Sequence, residues 1–212
     1  MPETVPPRVL VLACGALARE IIDVMRASGL DNLVLECLPA SLHNRPERIP
    51  AAVHERLQSA QGRYDRVLVG YADCGTGGLL DRVVEEYGAV RLPGDHCYEF
   101  YATTAVFGAL AEAEIGTFYL TDYLAKHFDR IIWAGLGLDR HPELRDAYFG
   151  NYTRLLYLSQ RPTDALVAKA EAAAARLGLR FEQRHVGYGG LESALVDSAA
   201  RGEQAIELAV RS

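Results

Sequence analysis

Arg8-Val9-Leu10-Val11-Leu12-Ala13-Cys14-Gly15 is a short apolar run with β-branched members that stops at a glycine. Such a run suits a strand buried on both faces of a parallel sheet, because a half-exposed strand would alternate polar and apolar positions. Residues 16–28 then place Leu17, Ile21, Val24 and Met25 at helical spacing, with Gly29 as a stop. The rhythm returns. Leu33 to Cys37 reads as strand, a long loop follows through Leu38-Pro39 and His43-Asn44-Arg45-Pro46, and a helix starts near Pro50. Arg66 to Tyr71 is another buried strand, which leads through Asp73-Cys74-Gly75-Thr76-Gly77-Gly78 into an amphipathic helix from Leu79 to Tyr87. Ala89 to Leu92 reads as strand and Tyr98 to Glu112 as helix.

The second half keeps the alternation more loosely. Strands are expected at Thr117 to Thr121, Leu155 to Leu158 and Leu179 to Glu182, with mainly helix over 122–150 and an alanine-rich helix from Thr163 to Leu177. A last helix is expected from Leu191 to Ala200 and a last strand from Ala205 to Val210. Alternation of this kind specifies an α/β fold, a mostly parallel sheet with helices on both faces and right-handed crossovers. With 212 residues and no low-complexity linker, a single domain over 1–212 and two similar lobes meeting near residue 115 both fit.

In an open parallel sheet, ligands bind beyond the carboxyl ends of the strands, near a switch in strand order. Cys14 ends the first expected strand, Cys74 lies just beyond the third, and His96-Cys97 just beyond the fourth. In the common order 2-1-3-4 these strands are neighbours, about 4.8 Å apart. Two sulfurs on one tetrahedral zinc are about 3.8 Å apart, given Zn–S near 2.3 Å, so small loop adjustments would close the gap. Cys14, Cys74 and Cys97 therefore form a candidate metal site with His96, whose neighbour Asp95 is placed to orient the imidazole. Zinc is the first expectation; an iron–sulfur cluster or copper also suits thiolates. Gly75, Gly77 and Gly78 open a helix and offer amides for an anion or for a thiolate at Cys74, while His43 and Tyr71 are placed to line the pocket. Cys37, beside Leu38-Pro39, reads as a packing residue, and Glu20 with Asp23 as a solvated helix face.

These residues also carry a resemblance. Leu12-Ala13-Cys14-Gly15, Leu38-Pro39 with His43, Gly70-Tyr71 with Cys74-Gly75, and Asp95-His96-Cys97 occur in that order, followed by Gly116-Thr117-Phe118-Tyr119-Leu120-Thr121 and Leu155-Leu156-Tyr157-Leu158. Over nearly the whole chain this resembles the family catalogued as domain of unknown function 1638. The resemblance implies an association with corrinoid-dependent methyl-transfer proteins and supplies no activity.

The leading expectation is thus a metal-binding protein, either an enzyme or an accessory subunit, with a small molecule or a corrinoid methyl-transfer protein as partner. The alternative is a metal-free thiol enzyme of the racemase or isomerase kind, with Cys14 and Cys74 as acid and base. A third reading is a noncatalytic binding module. No apolar run approaches the roughly 20 residues that cross a membrane. Met1-Pro2-Glu3-Thr4-Val5-Pro6-Pro7 does not read as a secretory signal, so a cytoplasmic protein with reduced thiols is expected.

Lys and Arg total 22 against 28 Asp and Glu, a formal charge of −6. Without a cationic excess there is little to displace counterions from phosphates. Mixed with unrelated duplex DNA at physiological ionic strength, the protein should give no salt-sensitive binding at micromolar concentrations in an anisotropy titration.

Overall fold

The computed structural model describes residues 6–200. The expected strand at Ala205 to Val210 lies outside them. In chain order the elements are β1 (Val9–Cys14), α1 (Ala18–Ala27), β2 (Leu33–Leu38), α2 (Ile49–Ala60), β3 (Arg66–Gly70), α3 (Leu79–Glu86), β4 (Val90–Arg91) and α4 (Cys97–Ala102). There follow α5 (Thr104–Ala113), β5 (Thr117–Leu120), α6 (Asp122–Lys126), α7 (Arg145–Phe149), β6 (Arg154–Ser159), α8 (Asp164–Leu177), β7 (Arg180–His185) and α9 (Gly190–Ala199).

Two compact units are present, one made of residues up to Phe100 together with the segment from Gly190, the other of Tyr101–Gly189. The division falls at 100/101 and again at 189/190, so residue 115 lies inside the second unit, between α5 and β5.

The first unit is a four-stranded sheet in the order β2-β1-β3-β4, parallel throughout. Val9 to Ala13 of β1 are fully buried, as the uninterrupted apolar run requires. β1 pairs on one side with β2, Leu12 opposite Glu36, and on the other with β3, Leu12 opposite Val69. The chain leaves β1 for β2 in one direction and passes from β2 over β1 to β3 in the other. Right-handed crossovers then send α1 to one face and α2 with α3 to the opposite face. Leu10, Leu12, Val69 and Tyr71 pack against Ile49, Val53 and Leu57 of α2 and Leu80 and Val84 of α3. α1 instead packs with α9. Pro50 sits in the first turn of α2, where its missing N–H leaves no helical bond unmade.

The second unit holds β5, β6 and β7 in sequential order, again parallel. Its strands advance in one direction, α6 packs on α8, and there is no reversal of strand order. The two units share parallel sheets without sharing a topology. At the amino end of β6 the buried Arg154 donates to Thr117 Oγ1 (2.7 Å), Glu182 Oε2 (2.9 Å) and the Leu110 carbonyl (3.2 Å). At the carboxyl end the buried Asp122 accepts from Tyr157 Oη (2.6 Å) and from the amides of Gln160 (3.1 Å) and Arg161 (2.7 Å).

Some expected elements differ. The helix expected from Tyr98 to Glu112 is two helices, α4 and α5, separated at Thr103, whose φ of 68° is incompatible with a continuing helix. The region 122–150 contains only short helical pieces joined by turns, among them a π-helical turn at Asp129–Trp133. The last strand of the second sheet is Arg180–His185 rather than Leu179 to Glu182, its register set by pairing along the whole of β6. Glu20 is buried, not solvated; an acid in the first turn of α1 is favoured there by the helix dipole.

The closeness of β1 to β3 gives a test. A Cβ at Gly70 would stand 2.7 Å from Ala13 Cβ and 3.1 Å from its Cα. Gly70→Ala should therefore lower stability by about 1–3 kcal/mol through overpacking, read as a lower midpoint in urea denaturation with an unchanged slope.

Candidate functional site

The reversal of strand order in the first unit lies between β1 and β3; Cys14 closes β1, Cys74 lies in the loop after β3, and Cys97 lies beyond β4. Cys14 is the last residue of β1, opposite Leu38 of β2. The segment after β3 is tied to the segment after β4 by main-chain bonds. Leu92 N–H donates to the Val69 carbonyl (3.1 Å), Asp73 N–H to Gly94 (3.1 Å) and Cys74 N–H to Asp95 (2.8 Å). Arg91 fixes the second of these segments by donating to the carbonyls of Leu92 (2.9 Å) and Gly94 (3.2 Å), while its guanidinium also pairs with Asp81. These ties carry Cys97, the first residue of α4, to Cys74.

Cys74 has a φ of 52° and Gly75 a φ of 85°, and Thr76 N–H closes the turn onto the Asp73 carbonyl (3.1 Å). Positive φ at both central positions is what a type I′ turn demands. Cys74 is one of two non-glycine residues in this conformation among those described. A left-handed cysteine costs roughly 1–2 kcal/mol, and cost of this kind is characteristic of residues held for function.

The glycine-rich loop is already supplied with an anion. The Asp73 carboxylate accepts from the amides of Gly75 (3.2 Å), Gly77 (3.1 Å) and Gly78 (2.8 Å) and from Thr76 Oγ1 (2.7 Å). Desolvation acts to raise this carboxyl, but the bonds from Thr76, Gly78, Gly77 and Gly75 prevail and hold it at about 2. The amides expected to receive an external anion or a thiolate are thus spoken for by the chain itself. An aspartate shortly before a run of glycines is a local hydrogen-bonding signature, and it is the signal by which Asp73 is legible in the sequence.

The thiols differ from one another. The Cys97 thiol donates to the Cys74 sulfur, which lowers Cys74; burial opposes this, and the amides of Ala72 and Cys97 add to the lowering. The same shared proton, with burial, raises Cys97 well above an ordinary cysteine. Burial pushes Cys14 up to about 11, against the Ala16 amide and with the nearby charge of Cys74. Tyr71 is buried, 2% exposed, and its hydroxyl has no well-formed hydrogen bond although the Cys14 thiol lies beside it. Burial, then the neighbouring Cys14, raises this phenol.

Cys14, Cys74, Cys97 and Tyr71 are therefore together. The histidines stand differently. His96 is exposed and its ring packs 6.1 Å from that of Tyr98, while His43 is half-buried in the loop after β2. Burial, and then the like charge of His96, lowers His43, so the two imidazoles are within electrostatic reach of each other. Cys37 is exposed rather than packed, and pairs with Ala13. Strand alternation turns it to the face opposite Cys14. Among the described residues, no set of three or more His, Cys, Asp or Glu side chains already stands in a metal-holding arrangement. No helix among them is long and apolar enough to cross a membrane.

Comparison with known families gives a match. The model for the family described as Protein of unknown function (DUF1638) covers residues 37–195, taking in Tyr71, Cys74, His96 and Cys97 and starting after Cys14. No curated protein and no solved structure matches the chain.

The Asp73 bonds set a pH dependence. The folded carboxyl titrates at about 2, below the roughly 3.9 of an unfolded aspartate, so the stabilisation is complete above about pH 4 and is lost as pH falls toward 2. Asp73→Ala should lower stability by about 1–2 kcal/mol near neutral pH, as loss of a capping carboxylate does. The gap from wild type in urea denaturation should narrow below about pH 4.

Proposed function

Because the chain belongs to the DUF1638 family, described as proteins of unknown function, we propose a function from the site itself: the first unit binds a transition-metal ion through Cys14, Cys74 and Cys97. The carrying observation is that three cysteines, from the end of β1, the loop after β3 and the start of α4, meet at one edge of the sheet, with electrostatic coupling between all three. The Tyr71 hydroxyl beside Cys14, buried and without a well-formed bond, fits the presence of a further group in the site. Soft thiolate donors favour zinc, with an iron–sulfur cluster or copper(I) as the other metals of that preference. Rotation of the Cys14, Cys74 and Cys97 side chains would bring their sulfurs to one ion. His96 is the proposed fourth donor, its neighbour His43 the substitute, and an open position there would admit a small molecule within reach of Tyr71.

A thiolate-rich metal site lowers the pKa of a bound thiol or water and turns it into a nucleophile. In this reading the protein serves methyl transfer of the corrinoid type, as an enzyme or as an accessory subunit, in the cytoplasm where its four free cysteines stay reduced. Cys14 would hold one side of the site rigidly, since it ends a fully paired strand, whereas Cys74 and Cys97 ride on loops.

One observation favours a second reading. Cys74 is lowered and Cys14 raised, which is the division of labour an acid–base pair needs. A metal-free proton exchange would then use the Cys74 thiolate as base and the Cys14 thiol as acid.

Elemental analysis of anaerobically purified protein separates the two. Wild type should carry near-stoichiometric metal, and Cys14→Ser, Cys74→Ser and Cys97→Ser should each lose most of it, because a hydroxyl replaces a soft thiolate poorly. His96→Ala should lose part. Cys37→Ser should keep its metal, and being exposed should change stability by no more than about 0.5 kcal/mol. Circular dichroism guards against reading unfolding as ligand loss. Full occupancy in all three cysteine variants would exclude this metal site; a metal-free wild type whose proton-exchange activity needs Cys14 and Cys74 would establish the second reading.

A further inference from the structure

We infer that Cys74 and Cys97 form a reversible intramolecular disulfide when the protein meets a low-molecular-weight disulfide. Cys74 N–H donates to the carbonyl of Asp95 (2.8 Å), two residues before Cys97, which sets the two cysteines side by side. Their loops are locked side by side by the bonds from Asp73 N–H to Gly94 and from Cys74 N–H to Asp95. Both residues are only partly buried, so a small disulfide can reach them. Cys14 is fixed at the end of a strand paired on both sides, and Cys37 lies on the opposite sheet face. Closing the pair to a bond of about 2.0 Å asks for side-chain rotation on two loops and no change in the sheet.

The chemistry is a two-step exchange. The Cys74 thiolate attacks one sulfur of the external disulfide, forming a mixed disulfide and expelling one external thiolate, which takes up the proton lost from Cys74. Cys97 then gives up its proton and attacks Sγ of Cys74, expelling the second external thiolate, which is protonated in turn. Two protein thiols are oxidised to one disulfide, and one external disulfide is reduced to two thiols. One consequence rests on the metal reading above: closure removes two of the three proposed sulfur ligands, so an oxidant would release the metal. The disulfide itself depends only on the two loops lying side by side.

The full chain, purified under reducing conditions and freed of reductant, is incubated with oxidised glutathione, alkylated and mapped by mass spectrometry. Two of the four thiols should disappear, a peptide pair should join Cys74 to Cys97, and dithiothreitol should restore both. A stable glutathione adduct on wild-type Cys74 or Cys97 without closure overturns the inference, as does closure through Cys14 or Cys37. Cys97→Ser should stop at the mixed disulfide on Cys74, and Cys37→Ser should close as fast as wild type. Metal content followed in parallel should fall in step with closure. A protein that never carries metal yet forms the Cys74–Cys97 disulfide leaves the inference standing and removes the metal reading. A protein that binds metal, but keeps all four thiols against oxidised glutathione after the metal is chelated away, does the reverse.

Discussion

Everything at the carboxyl edge of the first unit depends on β1 being paired on both sides and buried on both faces. A strand in that position cannot tilt or slip, so the residue at its end, Cys14, is placed by the sheet rather than by its own loop. The chain also turns outward from β1 in opposite directions, and handedness then puts the helices on opposite faces. The strand order thus reverses between β1 and β3, the position at which open α/β sheets bind ligands. The second unit has no such reversal among the described strands, and its buried polar groups, Arg154 at the amino end and Asp122 at the carboxyl end, are each bonded within that unit.

At that edge the protein manages two kinds of negative charge separately. The carboxylate of Asp73 takes the amides of Gly75, Gly77 and Gly78, which stiffens the turn and places Cys74 in its left-handed conformation. The Cys74 sulfur takes different donors, the Cys97 thiol and the amides of Ala72 and Cys97. Arg91 stands behind both, its charge felt at Asp73 and Cys74 while its donors hold the neighbouring loop. An aspartate that looks like a loop residue is thus the strut that allows a strained cysteine next to it.

The chemistry follows from contrast among like groups. Three thiols of equal intrinsic acidity are driven apart: Cys74 down through its donors, Cys14 and Cys97 up, the first by burial and the second by sharing its proton. A soft cation, proton exchange and disulfide exchange all draw on the same contrast, since each needs one sulfur that has lost its proton beside another that can lose it.

The fold of the first unit was legible because its signals are local. Apolar β-branched runs ending in glycine, followed by amphipathic spacing, mark β1, β3 and their helices wherever the rest of the chain lies, and the cysteines at those strand ends mark the edge that carries the candidate site. Two features were not legible: the break at Thr103 and the exposure of Cys37. Cys37 sits among apolar neighbours in the sequence, yet its place opposite Ala13 on an edge strand exposes it. Sequence alone determined the strand-then-helix order of the first unit and that Cys14 ends β1, because periodicity and chain stops are properties of neighbours. Tertiary structure decided that Cys74 meets Cys97 and that Tyr71 meets Cys14, because those contacts are made by loops drawn together through backbone bonds between residues some twenty positions apart and through strands paired across the sheet.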